Sequence, residues 1–146
     1  MFILRLYVDD MIILSRDLNS IERTVQSIRQ LWDIKDMGEV SKIFGLSIKR
    51  DREHRVITIS QTKYIEETLN YFNLKEAKPA LLPLTDRNML TTALPDEPQT
   101  DQSLYQQATG RRMWLTNSTR FDIAYAVEQL SPHCNMPTVR HWNGVL

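Results

Sequence analysis

The first fifteen residues constrain the fold more than any other stretch of this 146-residue chain. Two apolar runs, Met1 to Val8 and Met11 to Leu14, meet at the adjacent carboxylates Asp9 and Asp10. Branched and aromatic residues favour strands, and Asp tolerates the angles of a tight turn, so the pattern predicts an antiparallel hairpin with an Asp-Asp connection. The acids at its tip allow two interpretations. One is a solvated structural turn, and the other is a magnesium site, because carboxylate oxygens suit Mg²⁺.

The motif Tyr7-Val8-Asp9-Asp10, with apolar residues on both sides, resembles the active-site hairpin of reverse transcriptases. The later motifs follow an order similar to that of copia-type (Pseudoviridae-like) LTR retrotransposon polyproteins, over nearly all of the chain. The resemblance implies an α+β fold, namely a C-terminal fragment of the reverse transcriptase domain that starts at this motif. Antiparallel hairpins of an incomplete palm would pack on helices, and a mainly helical, thumb-like region would follow.

The same resemblance implies a chemistry for the hairpin tip. Reverse transcriptases use two-metal phosphoryl transfer, in which one ion activates the primer 3′ hydroxyl and the other stabilises the leaving pyrophosphate. Asp9 would be the principal metal ligand and Asp10 the second, with Mg²⁺ as the cofactor and Mn²⁺ as an alternative. Tyr7 and Val8 would line the primer terminus. The partners in the intact family are an RNA/DNA template-primer and a dNTP.

Composition adds few constraints on the class of protein. The 18 basic and 18 acidic residues give zero net charge, which argues against a freestanding domain that binds nucleic acid through a basic excess. Cys134 is the only cysteine, so no internal disulfide can form, and a cytoplasmic or nuclear location is expected. The opening apolar run is interrupted by Arg5 and Asp9, so neither a membrane span nor a targeting segment is predicted.

Hydrophobic periodicity predicts the elements that follow the hairpin. A helix is predicted from Leu18 to Trp32, capped by Asp17 or Asn19, with its apolar stripe packed on the back of a sheet. Strands are predicted at Ile43 to Lys49 and Val56 to Ser60, joined by the charged loop Arg50 to Arg55.

Two sets of residues in this second hairpin are candidates for binding nucleic acid. Phe44-Gly45-Leu46 resembles the start of the hairpin with which reverse transcriptases hold the primer end, and the resemblance implies that role here. Lys49, Arg50, Arg52 and Arg55 could contact a phosphate backbone. Asp51 and Glu53 dilute their positive charge, so a solvated hairpin tip is at least as good an interpretation.

Ser60 is predicted to cap a helix running from Gln61 to Phe72. Residues 60–65, Ser-Gln-Thr-Lys-Tyr-Ile, resemble the family's junction between palm and thumb. Four of the six prolines lie between residues 75 and 102, which predicts a surface linker or a partly ordered excursion. The expected division is therefore residues 1–74 as palm, 75–102 as a Pro-rich linker, and 103–146 as a truncated helical, thumb-like or connection-like region.

Two helical faces are predicted beyond the linker, one around Leu104 to Leu115 and one around Ile123 to Leu130. Residues 118–127 contain a second family signature, which departs from the usual pattern. Arg111 and Arg112 stand where the family has small or apolar residues, and Phe121 stands where it has proline. Residues His133, Cys134 and His141 lack the pair spacing of a structural zinc site. Thr138 is predicted to cap a last helix.

Three hypotheses for function follow. The family supplies another essential aspartate from an upstream strand, and nothing in the spacing of Asp33, Asp36 or Asp51 places them at the hairpin tip. The preferred hypothesis is therefore a reverse transcriptase fragment without autonomous catalysis. The alternatives are a polymerase completed in trans by a partner chain, with an exposed apolar face on the incomplete sheet, and a noncatalytic nucleic-acid-binding remnant. An uncovered strand edge also predicts self-association.

Overall fold

The computed structural model describes residues 1–84 and 86–146, so Thr85, within the predicted linker, lies outside the described residues. The described part of the chain forms five α-helices, a two-stranded sheet and a three-stranded sheet, both antiparallel. The α+β class expected from the sequence is confirmed.

The opening hairpin consists of β1 (Phe2–Tyr7) and β2 (Asp10–Ser15). Its connection is Val8-Asp9, so the predicted Asp-Asp connection was wrong by one residue, and Asp10 pairs with Tyr7. Apolar cross-strand pairs such as Leu4 with Ile13 explain this register, since a one-residue slip would turn every side chain to the opposite face. The register places Val8 in the left-handed region, with a φ of 52°.

The first helix, α1 (Leu18–Arg29), begins where the sequence predicted and ends three residues earlier. The Asp17 side chain accepts a hydrogen bond from the Asn19 N–H at 3.1 Å, which confirms Asp17 as the cap. The helix contacts β2, and Val25 and Ile28 are half-buried. The outer residues of the predicted stripe, including Leu31, are exposed. The predicted packing against the sheet therefore holds for only part of the stripe.

The second sheet contains β3 (Lys42–Ile43), β4 (Leu46–Asp51) and β5 (Val56–Ser60), in that order. The predicted single strand from Ile43 to Lys49 is wrong, because Phe44 and Gly45 form a turn between β3 and β4. Both turn residues have positive φ, 52° and 77°, as a type I′ hairpin turn requires, and glycine adopts this conformation without a steric cost. The predicted charged loop is also shorter, since Arg50 and Asp51 belong to β4.

The second helix, α2 (Thr62–Tyr71), begins one residue later than predicted and also ends one residue before the predicted end. The Ser60 Oγ accepts a hydrogen bond from the Thr62 N–H at 3.2 Å. Ser60 therefore bonds to the start of the helix as predicted, but Gln61 rather than Ser60 occupies the N-cap position.

The helical region, defined here as residues 102–146, contains α3 (Gln102–Thr116), α4 (Ala124–Leu130) and α5 (Val139–Val145). Thr138 caps α5 as predicted. The core of this region is formed by Tyr105, Ala108, Leu130 and Val145. The buried Tyr105 hydroxyl donates to the Leu130 carbonyl at 2.8 Å, which joins α3 to the end of α4.

Residues 1–60 include no fully buried residue, and every residue of β1 is exposed. The accessible surface is 11434 Å², whereas a compact protein of 17.1 kDa exposes roughly 7,800 Å². The excess includes large apolar side chains such as Leu6, at 65% exposure. The hairpins therefore present apolar surface that the described part of the chain does not cover. Within the described residues, no helix is long and apolar enough to cross a membrane.

Part of the predicted linker contacts the helical region. The Thr100 N–H donates to the Pro137 carbonyl at 3.0 Å, and the Val139 N–H donates to the Pro98 carbonyl at 2.9 Å. The Glu97 carboxylate lies 2.6 Å from the guanidinium of Arg140. These contacts attach residues 97–100 to the start of α5, while the division of the chain into palm, linker and thumb stays a prediction.

The two arginines that depart from the family pattern belong to α3, and their side chains reach the end of α2. The Arg111 guanidinium lies 4.6 Å from the ring centre of Tyr71, and that of Arg112 lies 5.7 Å from the ring centre of Phe72. Both distances suit cation–π contacts. The arginines therefore contribute to the packing of α2 on α3, whereas Phe121 is exposed.

Two helical glycines should respond differently to replacement by alanine. Nothing lies within 4 Å of a Cβ added at Gly110, so Gly110→Ala should raise stability by about 1 kcal/mol through helix propensity. A Cβ at Gly144 would lie 3.1 Å from the Met89 Cβ and 3.2 Å from a Leu130 methyl, which offsets that gain. Urea unfolding of both variants checks this, and equal stabilisation would contradict the packing described around Gly144.

Candidate active site

The two candidate metal ligands lie at an exposed hairpin tip. Asp9 occupies the connection, and Asp10 begins β2 directly opposite Tyr7. Within the described residues, neither carboxylate forms an ion pair. The geometry therefore leaves two adjacent anionic oxygen donors open to solvent, which is the kind of donor that Mg²⁺ prefers.

No third acid joins them in the part of the chain that the structure describes. Among the described residues, no group of three His, Cys, Asp or Glu side chains could hold a metal ion. Asp36 instead accepts from the Gly38 N–H at 2.8 Å, and Asp51 accepts from the His54 N–H at 2.9 Å. This second bond holds the pKa of Asp51 below its usual range. The donor set present fits one Mg²⁺, which often binds through one or two carboxylates with water and substrate phosphates. A two-metal site needs further ligands.

The hairpin tip lies beside the turn that resembles the family's primer-holding element. The rings of Tyr7 and Phe44 meet edge to face, with centroids 4.7 Å apart and planes at 75°. Both residues are candidates from the sequence alone. Their contact was not predictable, because it joins different sheets. The structure thus brings Tyr7, Val8, Asp9 and Asp10 to the same end of the molecule as the Phe44-Gly45 turn.

Three non-glycine candidate nucleic-acid contacts, Val8, Phe44 and Arg55, have positive φ. Val8 and Phe44 both have a φ of 52°, a conformation that bulky and β-branched residues rarely adopt. Such a residue costs on the order of 1–3 kcal/mol and persists where surrounding structure fixes it, often at binding or catalytic sites. These strained angles are therefore consistent with a binding or catalytic role for the hairpin tip. Val8 directly precedes the carboxylates Asp9 and Asp10 in the chain. Leu46, the third residue of that candidate set, is half-buried at the start of β4.

The candidate phosphate-binding residues are partly neutralised. Glu39, which sequence analysis did not single out, lies 3.0 Å from the Arg52 guanidinium and 3.6 Å from that of Arg50. Lys49 and Arg55 are exposed on the same hairpin. The hairpin therefore presents less positive charge than its sequence suggests.

The histidines near the C-terminus have structural partners. The rings of His133 and His141 stack with centroids 3.8 Å apart. His141 accepts at Nδ1 from the Thr138 N–H at 3.1 Å and donates from Nε2 to the Thr91 carbonyl at 2.9 Å. His133 donates from Nε2 to the Leu90 carbonyl at 3.2 Å. Both nitrogens of His141 are thus engaged, which agrees with the lack of zinc spacing.

This pair predicts a pH dependence of stability. Burial, followed by the neighbouring His141 ring, lowers the pKa of His133 below its ordinary value of 6.5. The unfolded chain therefore binds the proton more readily, so stability should be complete above pH 6.5 and decrease as the pH falls below it. His133→Gln keeps a donor for the Leu90 carbonyl and should flatten the curve of melting temperature between pH 7 and 5. A curve unchanged by this substitution would contradict the prediction. The pKa values of the paired carboxylates Glu97 and Asp122 are lowered by their arginine partners, so the stability lost through their protonation should appear at lower pH.

Comparison with protein families gives the class of this chain. Residues 1–86 match the family described as reverse transcriptase (RNA-dependent DNA polymerase). The match includes both candidate nucleic-acid hairpins and the carboxylates at the tip. The chain belongs to the reverse transcriptase family, and its similarities lie with Pol polyproteins of copia-type transposons.

Three curated relatives show how much of a longer protein the chain matches. The retrovirus-related Pol polyprotein from transposon TNT 1-94 of Nicotiana tabacum is 36% identical over 148 residues, covering 98% of this chain and 11% of the polyprotein. The corresponding polyproteins from transposons RE2 and RE1 of Arabidopsis thaliana are 31% and 32% identical, and the match covers 9% of each. The chain therefore spans about a tenth of these relatives. No solved structure matches it.

Proposed function

We propose that this chain is a part of an RNA-directed DNA polymerase of a copia-type retrotransposon, and that it does not polymerise DNA alone. The proposal is supported by the pair of exposed carboxylates, Asp9 and Asp10, on the hairpin whose Tyr7 ring contacts the Phe44 ring. Among the described residues no further acid completes a two-metal site. Residues 1–74 would belong to the palm, 75–102 to a linker and 103–146 to a thumb-like region. A cytoplasmic or nuclear location remains a prediction.

The hairpin-tip residues and residues 44–46 each receive a role in this proposal. Asp9 is the principal ligand of Mg²⁺, or of Mn²⁺ as an alternative, and Asp10 is the second ligand. Bound there, the ion would stabilise negative charge on the phosphates during nucleotidyl transfer. Tyr7 and Val8 contact the primer terminus of an RNA/DNA template-primer, and residues 44–46 hold the primer end near the incoming dNTP.

A second candidate function is a polymerase completed in trans. The observation that favours it is the exposed apolar β1, in which Phe2, Ile3 and Leu4 are 42–46% exposed and Leu6 is 65% exposed. A partner chain would cover this surface and provide the further carboxylate. Without the partner, the same surface would lead the chain to self-associate.

Sedimentation at increasing protein concentration tests the exposed surface. Ile3 lies opposite Leu14 in the hairpin, and both are exposed. Ile3→Lys should reduce self-association, because a lysine in the strand opposes apolar contact at this face. Leu81→Lys is the control, since Leu81 is fully exposed outside the sheets. A monomer at all concentrations would count against the proposed association.

Primer extension on an RNA template tests the proposed polymerase role. The chain alone, confirmed as folded by circular dichroism, should give no magnesium-dependent extension. Addition of a partner chain that carries the upstream aspartate implied by the family resemblance should restore extension if completion in trans occurs. Extension by the chain alone that is lost in Asp9→Asn would refute the proposed lack of autonomous activity.

Salt-dependent binding to an RNA/DNA duplex tests the remaining alternative, a noncatalytic nucleic-acid-binding remnant. Phosphate contacts make affinity fall steeply as salt is added. The Glu39 contacts with Arg50 and Arg52 favour a shallow dependence, which Glu39→Gln should steepen. Glu66→Gln, on the exposed side of α2, is the matched control. A steep dependence in the unmodified chain, lost in Lys49→Ala and Arg55→Ala, would instead favour the remnant.

A further inference from the structure

Two motifs that the sequence places far apart meet at a buried side chain. Gln61 follows β5 directly and is 2% exposed. Its Oε1 accepts a hydrogen bond from the Thr119 hydroxyl at 2.6 Å, and its Nε2 donates to the Trp114 carbonyl at 3.4 Å. Gln61 belongs to the first signature after the hairpins, whereas Thr119 belongs to the signature of the helical region.

The side chain of Gln61 bonds to the end of α3, whereas its backbone carbonyl bonds to α2. Its carbonyl accepts the Ile65 N–H at 2.9 Å, so Gln61 occupies the N-cap position of α2, but its side chain makes no bond to that helix. Ser60 supplies that bond instead. The Gln61 amide reaches the end of α3, where the last carbonyls have no partner within the helix. Ser60 and Gln61 thus cap two different helices.

The end of α3 is itself held tightly at this point. The N–H groups of Ser118, Thr119 and Arg120 all donate to the Leu115 carbonyl, at 2.9 to 3.2 Å. The Arg120 guanidinium also pairs with the Asp122 carboxylate at 2.7 Å. The Thr119 hydroxyl is therefore held in place by this turn. Its hydrogen bond fixes the position of the Gln61 side chain.

A buried amide in this place is costly to leave without partners. Removing one partner leaves the other desolvated and unsatisfied, which costs about 1–3 kcal/mol. The bond from the Tyr71 hydroxyl to Gln107 at 2.6 Å, which joins α2 to α3, is exposed. The Gln61 bonds are partly buried, as is the bond from the Arg111 guanidinium to the Thr68 hydroxyl. The Gln61 contact is thus better protected from competition by water than the Tyr71 contact is.

From this geometry we infer that Gln61 is a positioning residue, which fixes the orientation of the β3-β4-β5 sheet on the helical region through Thr119 and the Trp114 carbonyl. β5 ends at Ser60 and leads directly into the joint, so a rotation there would move the whole sheet. The inference does not depend on the proposed polymerase role. It gives the contact between residues 60–65 and residues 118–127 a function, the orientation of the sheet. Neither motif indicates this function by itself.

Distance measurements between spin labels test this inference on the full chain. One label is placed at Glu53→Cys in the turn after β4 and another at Glu128→Cys on α4, with Cys134→Ser to remove the native thiol. Both label sites are exposed. An excess of unlabelled chain suppresses distances between molecules. The parent should give a single narrow distance distribution.

Thr119→Val, which keeps shape but removes the donor, should broaden or shift this distribution, and Gln61→Leu should do the same. Gln61→Glu keeps the acceptor for Thr119 and should give an intermediate result. Combining Gln61→Leu with Thr119→Val should add little to either change, because both remove the same contact. Gln107→Leu is the control for a general loss of α2–α3 contacts, and it should leave the distribution narrow.

The far-ultraviolet circular dichroism of Thr119→Val should remain that of the parent while its distance distribution changes. An unchanged distribution in this variant would overturn the inference. So would loss of its helical structure, because the contact would then serve folding rather than orientation. Equal broadening by Gln107→Leu would overturn the specific role of Gln61.

Discussion

Replacement of Asp9 by asparagine should reduce magnesium-dependent nucleotide incorporation at least about a hundredfold in the completed polymerase, since a catalytic metal contributes several kcal/mol. Asparagine preserves size while it removes the charge that would attract the proposed ion, and Asp9 occupies the exposed connection between β1 and β2. Single-nucleotide incorporation over a range of Mg²⁺ concentrations measures the effect.

Asp33→Asn provides the matched control, because Asp33 is an exposed acid that joins no cluster of metal-binding side chains among the described residues. Its rate should equal that of the parent. Incorporation that survives Asp9→Asn but not Asp33→Asn would reverse the assignment of the metal ligands.

Truncation of Leu130 to alanine should lower the free energy of unfolding of the helical region by about 2–5 kcal/mol. The side chain is 2% exposed and belongs to the core with Tyr105 and Val145, so its loss leaves a cavity between α3, α4 and α5. Small domains have stabilities of only about 5–15 kcal/mol, which makes this a large fraction. Urea unfolding followed by the fluorescence of the three tryptophans, two of which lie in the helical region, measures the loss.

Leu82→Ala is the comparison for this experiment. Leu82 is 61% exposed, and a surface substitution should change stability by less than about 0.5 kcal/mol. Similar losses in the two variants would show that the core does not lie where Leu130 is buried.

Local chemistry explains which parts of this fold were predictable. The three predicted caps, Asp17, Ser60 and Thr138, each accept a nearby N–H, because a capping bond depends on residues two or three positions away. The opening hairpin followed from two apolar runs of branched and aromatic residues on either side of Asp-Asp. Its turn was misplaced because the sequence favoured Asp-Asp, whereas cross-strand pairing places Val8 in the connection.

Most of the features that were not predicted from the sequence depend on contacts between distant residues, but one had a local signal. The Phe44-Gly45 turn had a local signal, since glycine suits the second position of a type I′ turn, but the continuous run of strand residues obscured it. The Glu39 contacts with two arginines and the Tyr7–Phe44 contact join separate elements and have no local pattern. For the same reason, the sequence could nominate the acids and the primer-side residues without showing that they share one end of the molecule.

The hydrogen bonds that join residues 98–100 to residues 137–139 affect how the chain would respond to cleavage. They close the polypeptide into a noncovalent ring that contains α3 and α4. A protease cut in the turn at Asn117 would therefore break a covalent bond inside this ring without releasing a fragment. The two pieces should migrate together in a native gel and separate in denaturant, so a nicked preparation could pass for intact protein by size alone.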